Sequence, residues 1–169
     1  MTRIDTTQDT ILTQIVARLR DVLDLPAHRC YETLEPLTDP PVPKGGEYFL
    51  TVSPGDGHFD EGMQAGGGAA QLMERSSVSV TAYAKIALDP GDQATEILHE
   101  VSRGMLPIKK GILRALVGHD LQDEDDNYLL RSQLYALQSW RPRYLPDAKI
   151  AMIAVGFGTD FDWDLTEDE

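Results

Sequence analysis

Ile11, Ile15, Leu19 and Val22 recur at the spacing of helical turns, and Leu12, Val16 and Leu23 widen the stripe. Residues 6–24 are therefore predicted to form an amphipathic helix, with Thr6 as N-cap and Asp9 in the first turn. Leu25-Pro26 marks its end, because the residue before proline is pushed out of the helical region. A short extended piece is expected over 28–34. A proline-rich connector over 36–43 follows, since proline cannot donate to a sheet ladder. Residues 47–53 read as a strand with Tyr48, Leu50 and Val52 on one face.

Residues 54–73 hold Gly55, Gly57, Gly62, Gly66, Gly67 and Gly68, and read as a long loop between strands, a candidate for function. Strict alternation returns over 74–88. Val78, Val80, Ala82, Ala84, Ile86 and Leu88 share one face, and Ser77, Ser79, Thr81, Tyr83 and Lys85 share the other. Asp89-Pro90 is a good helix start, and Ala94, Ile97, Leu98 and Val101 give that helix its stripe. Pro107 is expected to kink or restart it, Ile108, Ile112, Leu113 and Leu116 to continue it, and Gly118 to cap it. Residues 127–138 read as a strand of weaker alternation. The last strand, 149–165, is the clearest: Ala151, Ile153, Val155, Phe157, Phe161, Trp163 and Leu165 alternate with Gly156, Gly158, Asp160, Asp162 and Asp164. Its length predicts that it projects beyond the sheet or bends at the two glycines.

Helix, strand, loop, strand, helix, strand, strand is the order of an α+β fold. A mainly antiparallel sheet is expected, with the N-terminal amphipathic helix and a mid-chain helix packed on one face. No internal repeat divides the 169 residues, so one domain over 1–169 is expected, with a glycine-rich loop at 54–73 and an acidic tail at 160–169.

Composition changes this picture mainly through charge. Asp and Glu number 28 against 15 Lys and Arg, a formal net charge of −13. That argues against a protein built to grip nucleic acid phosphates or an anionic membrane. The excess is concentrated in two runs, Asp120 with Asp123, Glu124, Asp125 and Asp126, and the carboxylates from Asp160 onward, which leaves the remainder near neutral. Such runs either solvate the surface, face a basic partner or repel DNA passing nearby. The single Cys30 excludes an internal disulfide or a paired-cysteine metal motif, and the N-terminal residues do not read as a secretory signal.

Candidate chemistry is sparse. Asp160, Asp162 and Asp164 have the alternate spacing that opens a calcium loop, but Leu165 stands where that loop needs glycine. The solvated face of an edge strand accounts for them better. His28 and Cys30 would share a face, yet nothing marks an orienting group or an oxyanion hole. A buried, inert Cys30 is expected. His58, His99 and His119 stand apart, and the glycines match neither a phosphate loop nor a dinucleotide fingerprint. No catalytic, cofactor-binding or metal site is assigned. Trp140, Arg141, Arg143 and Tyr144 form a basic-aromatic cluster that could stack on a nucleic acid base, but in so acidic a chain it reads better as a protein interface.

The order of elements resembles the tail terminator proteins of long-tailed bacteriophages. The residues that carry the likeness are the N-terminal amphipathic helix, the small-apolar alternation from Val78 to Ala84, the mid-chain helix over 91–116 and the final strand over 150–165. The resemblance covers most of the chain and rests on pattern and length. It implies a structural virion protein rather than an enzyme, without cofactor or membrane. Copies would form a ring, commonly a hexamer, that caps the tail tube protein, ends tube polymerisation and docks the head–tail connector or neck protein. Genomic DNA would pass through without specific binding, and assembly would take place in the host cytoplasm. On that footing Phe161 and Trp163, with Trp140, Arg141, Arg143 and Tyr144, are candidate interface residues. Asp123, Glu124, Asp125 and Asp126 are the candidate lumen patch. Competing expectations are another neck or head-completion protein, a small metal-dependent enzyme using the Asp160–Asp164 run, and a binding module using the glycine-rich loop.

Overall fold

In the computed structural model the described residues are 7–41, 47–59, 71–85, 94–122 and 126–164; for 71–72, 94–103 and 163–164 the description extends to the backbone alone. Thr6, Asp89, Pro90 and Leu165 lie outside it.

The first stripe forms α1 (Thr7–Leu23), which buries Ile11, Leu12, Ile15, Val16 and Leu19, whereas Val22 is exposed at the end of the stripe. Its end is built one step before the proline. Asp24 takes a left-handed backbone conformation (φ 51°), and the Leu25 N–H donates back to the Arg20 carbonyl at 2.9 Å. A single 3₁₀ turn over Ala27–Arg29 leads into β1 (Cys30–Glu32), which pairs in parallel with β2 (Tyr48–Pro54).

β3 (His58–Phe59) and β4 (Gln71–Lys85) occupy both ends of the stretch read as one long loop. Of that stretch, residues 55–57 with Gly55 and Gly57 are irregular, and residues 60–70 lie outside the described residues. Cross-strand pairing explains the difference: His58 and Phe59 pair with Arg75 and Glu74, a contact that a single sequence window does not reveal.

α2 (Ala94–Leu116) runs through Pro107 as one helix and buries Met105, Ile112, Ala115 and Leu116. Gly118 closes it with φ 73°, a conformation open to glycine without steric cost, and its N–H donates to the Leu134 carbonyl at 2.8 Å. Residues 127–134 are not a strand. Leu130 and Leu134 drop into the core four residues apart, and the local backbone bonds form no ladder: the Leu134 N–H donates to the His119 carbonyl after α2, and the Arg131 N–H makes a single bond to the Asp160 carbonyl of the last strand. Only β5 (Tyr135–Ser139) pairs with the sheet; β6 (Arg143–Leu145) adds a short strand that the sequence pattern did not suggest.

β7 (Ile150–Asp164) is the sheet's long partner strand. Among the described residues the order is β1-β2-β4-β7-β5, with β3 on β4 and β6 on β7, and every pairing except β1 with β2 is antiparallel. The fold is α+β, as the pattern predicts. β7 neither bends away nor projects alone. It pairs with β4 from Ile150 opposite Lys85 to Asp164 opposite Gln71, so the two strands extend together past the β2 pairing, which stops at Val78. Asp160 and Asp162 therefore have β4 on one flank, opposite Arg75 and Met73, while on the other flank the β5 pairing stops at Gly158. Arg131 crosses to that side, where its guanidinium makes a bidentate pair with the Asp162 carboxylate at 2.8–3.0 Å.

The register separates two faces. Val78, Val80, Ala82 and Ala84 lie opposite Phe157, Val155, Ile153 and Ala151, and with α1 and α2 they enclose the main core. Removing each Leu or Ile of that core from water is worth roughly 1.5–3 kcal/mol. The other face is only partly apolar. Phe49, Tyr83 and Ile150 form a small second cluster there, with the Phe49 and Tyr83 rings stacked at 4.8 Å. The connector after β1 covers this cluster, its Leu37 N–H donating to the Tyr83 hydroxyl at 2.8 Å. Farther along, the same face is paved with Ser53, Ser77, Ser79, Ala154 and Gly156.

Candidate interaction surface

Gly156 and Gly158 decide the shape of the β5 edge. Without side chains on the outer face of β7, they let β5 settle directly onto the sheet. A Cβ on Gly156 would meet the Gln138 side chain at 3.4 Å, and one on Gly158 would stand 2.2 Å from the tip of the Tyr135 ring. A bulge between Ala136 and Gln138 shifts the register at Leu137, a device that bends the strand and interrupts its ladder. All five residues of β5 are exposed, and Leu137 keeps 51% of its surface in solvent.

Trp140 follows, held by its N–H to the Ala154 carbonyl at 3.0 Å and exposed at 43%. The Arg143 guanidinium lies 5.8 Å from the centre of its ring, a cation–π arrangement. Lys109 of α2 reaches the same edge and donates to the Ser139 hydroxyl at 2.6 Å. Trp140 and Leu137 form one wall of a cleft of about 250 Å³; its other wall includes Pro36, and Ser53, Ser79, Ala154 and Gly156 line it between them.

The expected cluster is thus assembled in part. Trp140 and Arg143 meet, and Arg141 is exposed beside them. Tyr144, one position along β6, turns the other way and packs against the main core. Phe161 does not belong to an interface. Its register position opposite Glu74 puts it on the core-facing side of β7, and it is completely buried in the core that contains Leu121, Leu130 and Leu134. The Trp163 side chain lies outside the described residues, as do Asp123, Glu124 and Asp125; Asp126 is exposed with a left-handed backbone. The sequence reading missed Tyr135, Leu137 and Lys109. The signal that could have found the first two is the pair of glycines on the polar face of β7, which leaves room for a neighbouring strand's side chains.

The other titratable candidates are dispersed. Cys30 is fully buried under α1, its Sγ 3.9 Å from the Val16 carbonyl, and burial pushes its thiol up to about 11. His119 follows α2, where partial burial and then the nearby Arg18 charge lower its pKa. His28 and His58 are exposed, and the His99 side chain lies outside the described residues. Among the described residues no group of His, Cys, Asp or Glu is arranged to hold a metal ion, and no helix is long and apolar enough to cross a membrane.

No protein-family model and no curated protein matches the chain. Among solved structures, a chain from the "Virion of native gene transfer agent (GTA) particle" is similar to it at 16% sequence identity and a TM-score of 0.44, with 94% of this chain and 92% of that chain covered.

Proposed function

We propose that this protein is a structural subunit of a phage-like particle, a single domain over 1–169 that acts by fitting against copies of itself and its neighbours rather than by catalysis. In this reading the copies form a ring, a hexamer by the resemblance, on the end of the tail tube. The ring stops tube growth and presents a face to the head-side connector, and DNA passes through its lumen. The protein then resides in the tail or neck of the virion after assembly in the host cytoplasm.

The observation that carries the reading is the placement of the elements on which the resemblance rests. The N-terminal amphipathic helix and the mid-chain helix pack on the core face of one sheet, whose centre is the small-apolar strand β4 paired with the final strand β7. The exposed β5 edge with Leu137 and Trp140 gives such a subunit a surface for protein contacts. The acidic run ending at Asp126 suits a conduit, because a lumen that attracts phosphates would hold DNA back.

Electron microscopy of purified tail tubes mixed with the protein tests the proposal. Tubes capped at one end, with elongation arrested, are the expected result. Tubes that keep growing uncapped overturn the terminator role, and binding to the head-side connector alone would place the protein elsewhere in the neck.

A further inference from the structure

The two edges of the sheet carry opposite charge. At the β5–β6 edge, Arg143 stacks on the exposed Trp140, exposed Arg141 lies beside it and Lys109 bonds Ser139; within 135–149 the three bases Arg141, Arg143 and Lys149 stand against one carboxylate, Asp147, and Asp160 of β7 lies by Tyr135 at the far end of β5. At the far edge, β1 ends in exposed Glu32, followed by Leu34, which is 87% exposed, and by exposed Glu35; Asp21 and Asp24 lie at the adjoining end of α1. The arginines of that region are turned inward. Arg20 donates from two nitrogens to the Cys30 carbonyl at 2.8 and 2.6 Å, and Arg29 donates to the Tyr48 carbonyl and approaches Glu47 at 3.8 Å. The acidic edge therefore keeps its sign on a local scale.

We propose that the basic Leu137–Trp140 edge of one copy docks on the acidic Glu32–Glu35 edge of a second copy, so that the chain associates head to tail. The inference rests on the reading of this protein as an assembly subunit and names the surfaces by which it assembles. Like edges repel: two β5 edges would set Arg141 and Arg143 against their own kind, and two β1 edges would oppose Glu32 and Glu35. Only the heterologous pairing satisfies both, and a heterologous contact is the kind that generates rings or filaments instead of closed dimers. The docking is made by side chains rather than by adding a strand. The bulge at Leu137 breaks the ladder on one edge, and the Arg20 guanidinium occupies the Cys30 carbonyl on the other. Leu34 and Leu137 supply the apolar contact, and the charges set its direction.

Sedimentation of the full chain at low ionic strength tests this with two charge-reversed variants, Arg141→Glu with Arg143→Glu, and Glu32→Lys with Glu35→Lys. The wild type is expected to form species larger than a dimer. Each variant is expected to associate at least tenfold more weakly, and an equimolar mixture of the two to regain association. Raising salt from about 0.05 M to about 0.5 M should weaken the wild-type contact. Because all four positions are exposed, circular dichroism and melting temperature should stay at wild-type values, which separates lost docking from lost folding. A wild-type chain that stays monomeric or stops at a dimer, or reversals on either edge that leave association unchanged, would overturn the proposal. The tube-capping assay is independent: association through these edges without arrested tubes removes the proposed role and leaves the contact standing, whereas capping by a chain whose edge variants assemble normally does the reverse.

Discussion

The Tyr135 ring lies across Gly158 of the neighbouring strand, in the volume that a side chain there would fill, with a would-be Cβ at 2.2 Å from Cζ and 2.4 Å from Oη. Gly158→Ala must therefore push the ring off the sheet, and should destabilise the fold by ~1–3 kcal/mol. In a Tyr135→Ala background the same change should be nearly neutral. A double-mutant cycle by urea denaturation measures the coupling; additive effects would mean that the two positions do not share this space.

Phe161 is a core residue, so Phe161→Ala should cost about 3–5 kcal/mol in chemical denaturation. Trp140→Ala, at an exposed position with a single cation–π partner, should cost no more than ~1 kcal/mol. The reverse ranking would place the Phe161 ring outside the core.

Cys30 combines complete burial with a thiol raised to about 11, so it should be unreactive in the native state. At pH 8 an aromatic disulfide reagent should modify it only as fast as the protein opens, and rapidly in denaturant. Stoichiometric labelling of the folded chain within seconds would contradict the packing under α1.

How much of this was legible in the sequence depended on how far each signal reached along the chain. α1, β4 and β7 carry long, unambiguous periods, and each was predicted to within a few residues because one side of each faces a continuous core. β3, β6 and the true extent of β5 were not, since each is held by pairing with a strand distant in sequence. Residues 127–134 mislead for a related reason: Leu130 and Leu134 are apolar because they fill the main core, with Leu129 packed against it, not because they alternate across a sheet. The same limit governed the surface. Trp140 and Arg143 could be named from composition, but Lys109 joins them only through the packing of α2 beside β5, and Phe161 looked available until the register placed it on the inner face.

Tyr83 provides a pH signature. Burial raises its phenol above the ordinary value of 10.0. Below that value both folded and unfolded chains hold the proton; above it the unfolded chain ionises first, so stability should fall as pH rises past 10. Tyr83→Phe should lose about 1 kcal/mol at neutral pH, where the Leu37 N–H loses its acceptor, yet show a flatter alkaline limb. Thermal melts from pH 7 to 11 read both effects, and parallel alkaline limbs for the two proteins would exclude Tyr83 as the group responsible.

If the acidic run lines a DNA conduit, replacing Asp123, Asp125 and Asp126 by Lys should slow genome ejection while rings still form. Ejection kinetics by fluorescence of released DNA provides the measurement, and unchanged rates would remove the run from the lumen.

The pairing of β4 with β7 brings residue 71 against residue 164 and residue 85 against residue 150, so the middle of the sheet is completed by the strand that follows every other described element in the chain. During synthesis β1, β2 and β4 must wait on the ribosome with one flank of β4 bare until β7 emerges. Contacts this remote in sequence close slowly. Rapid synthesis should therefore expose half-built sheets with an unpaired flank, and the yield of folded subunits should rise with added chaperone.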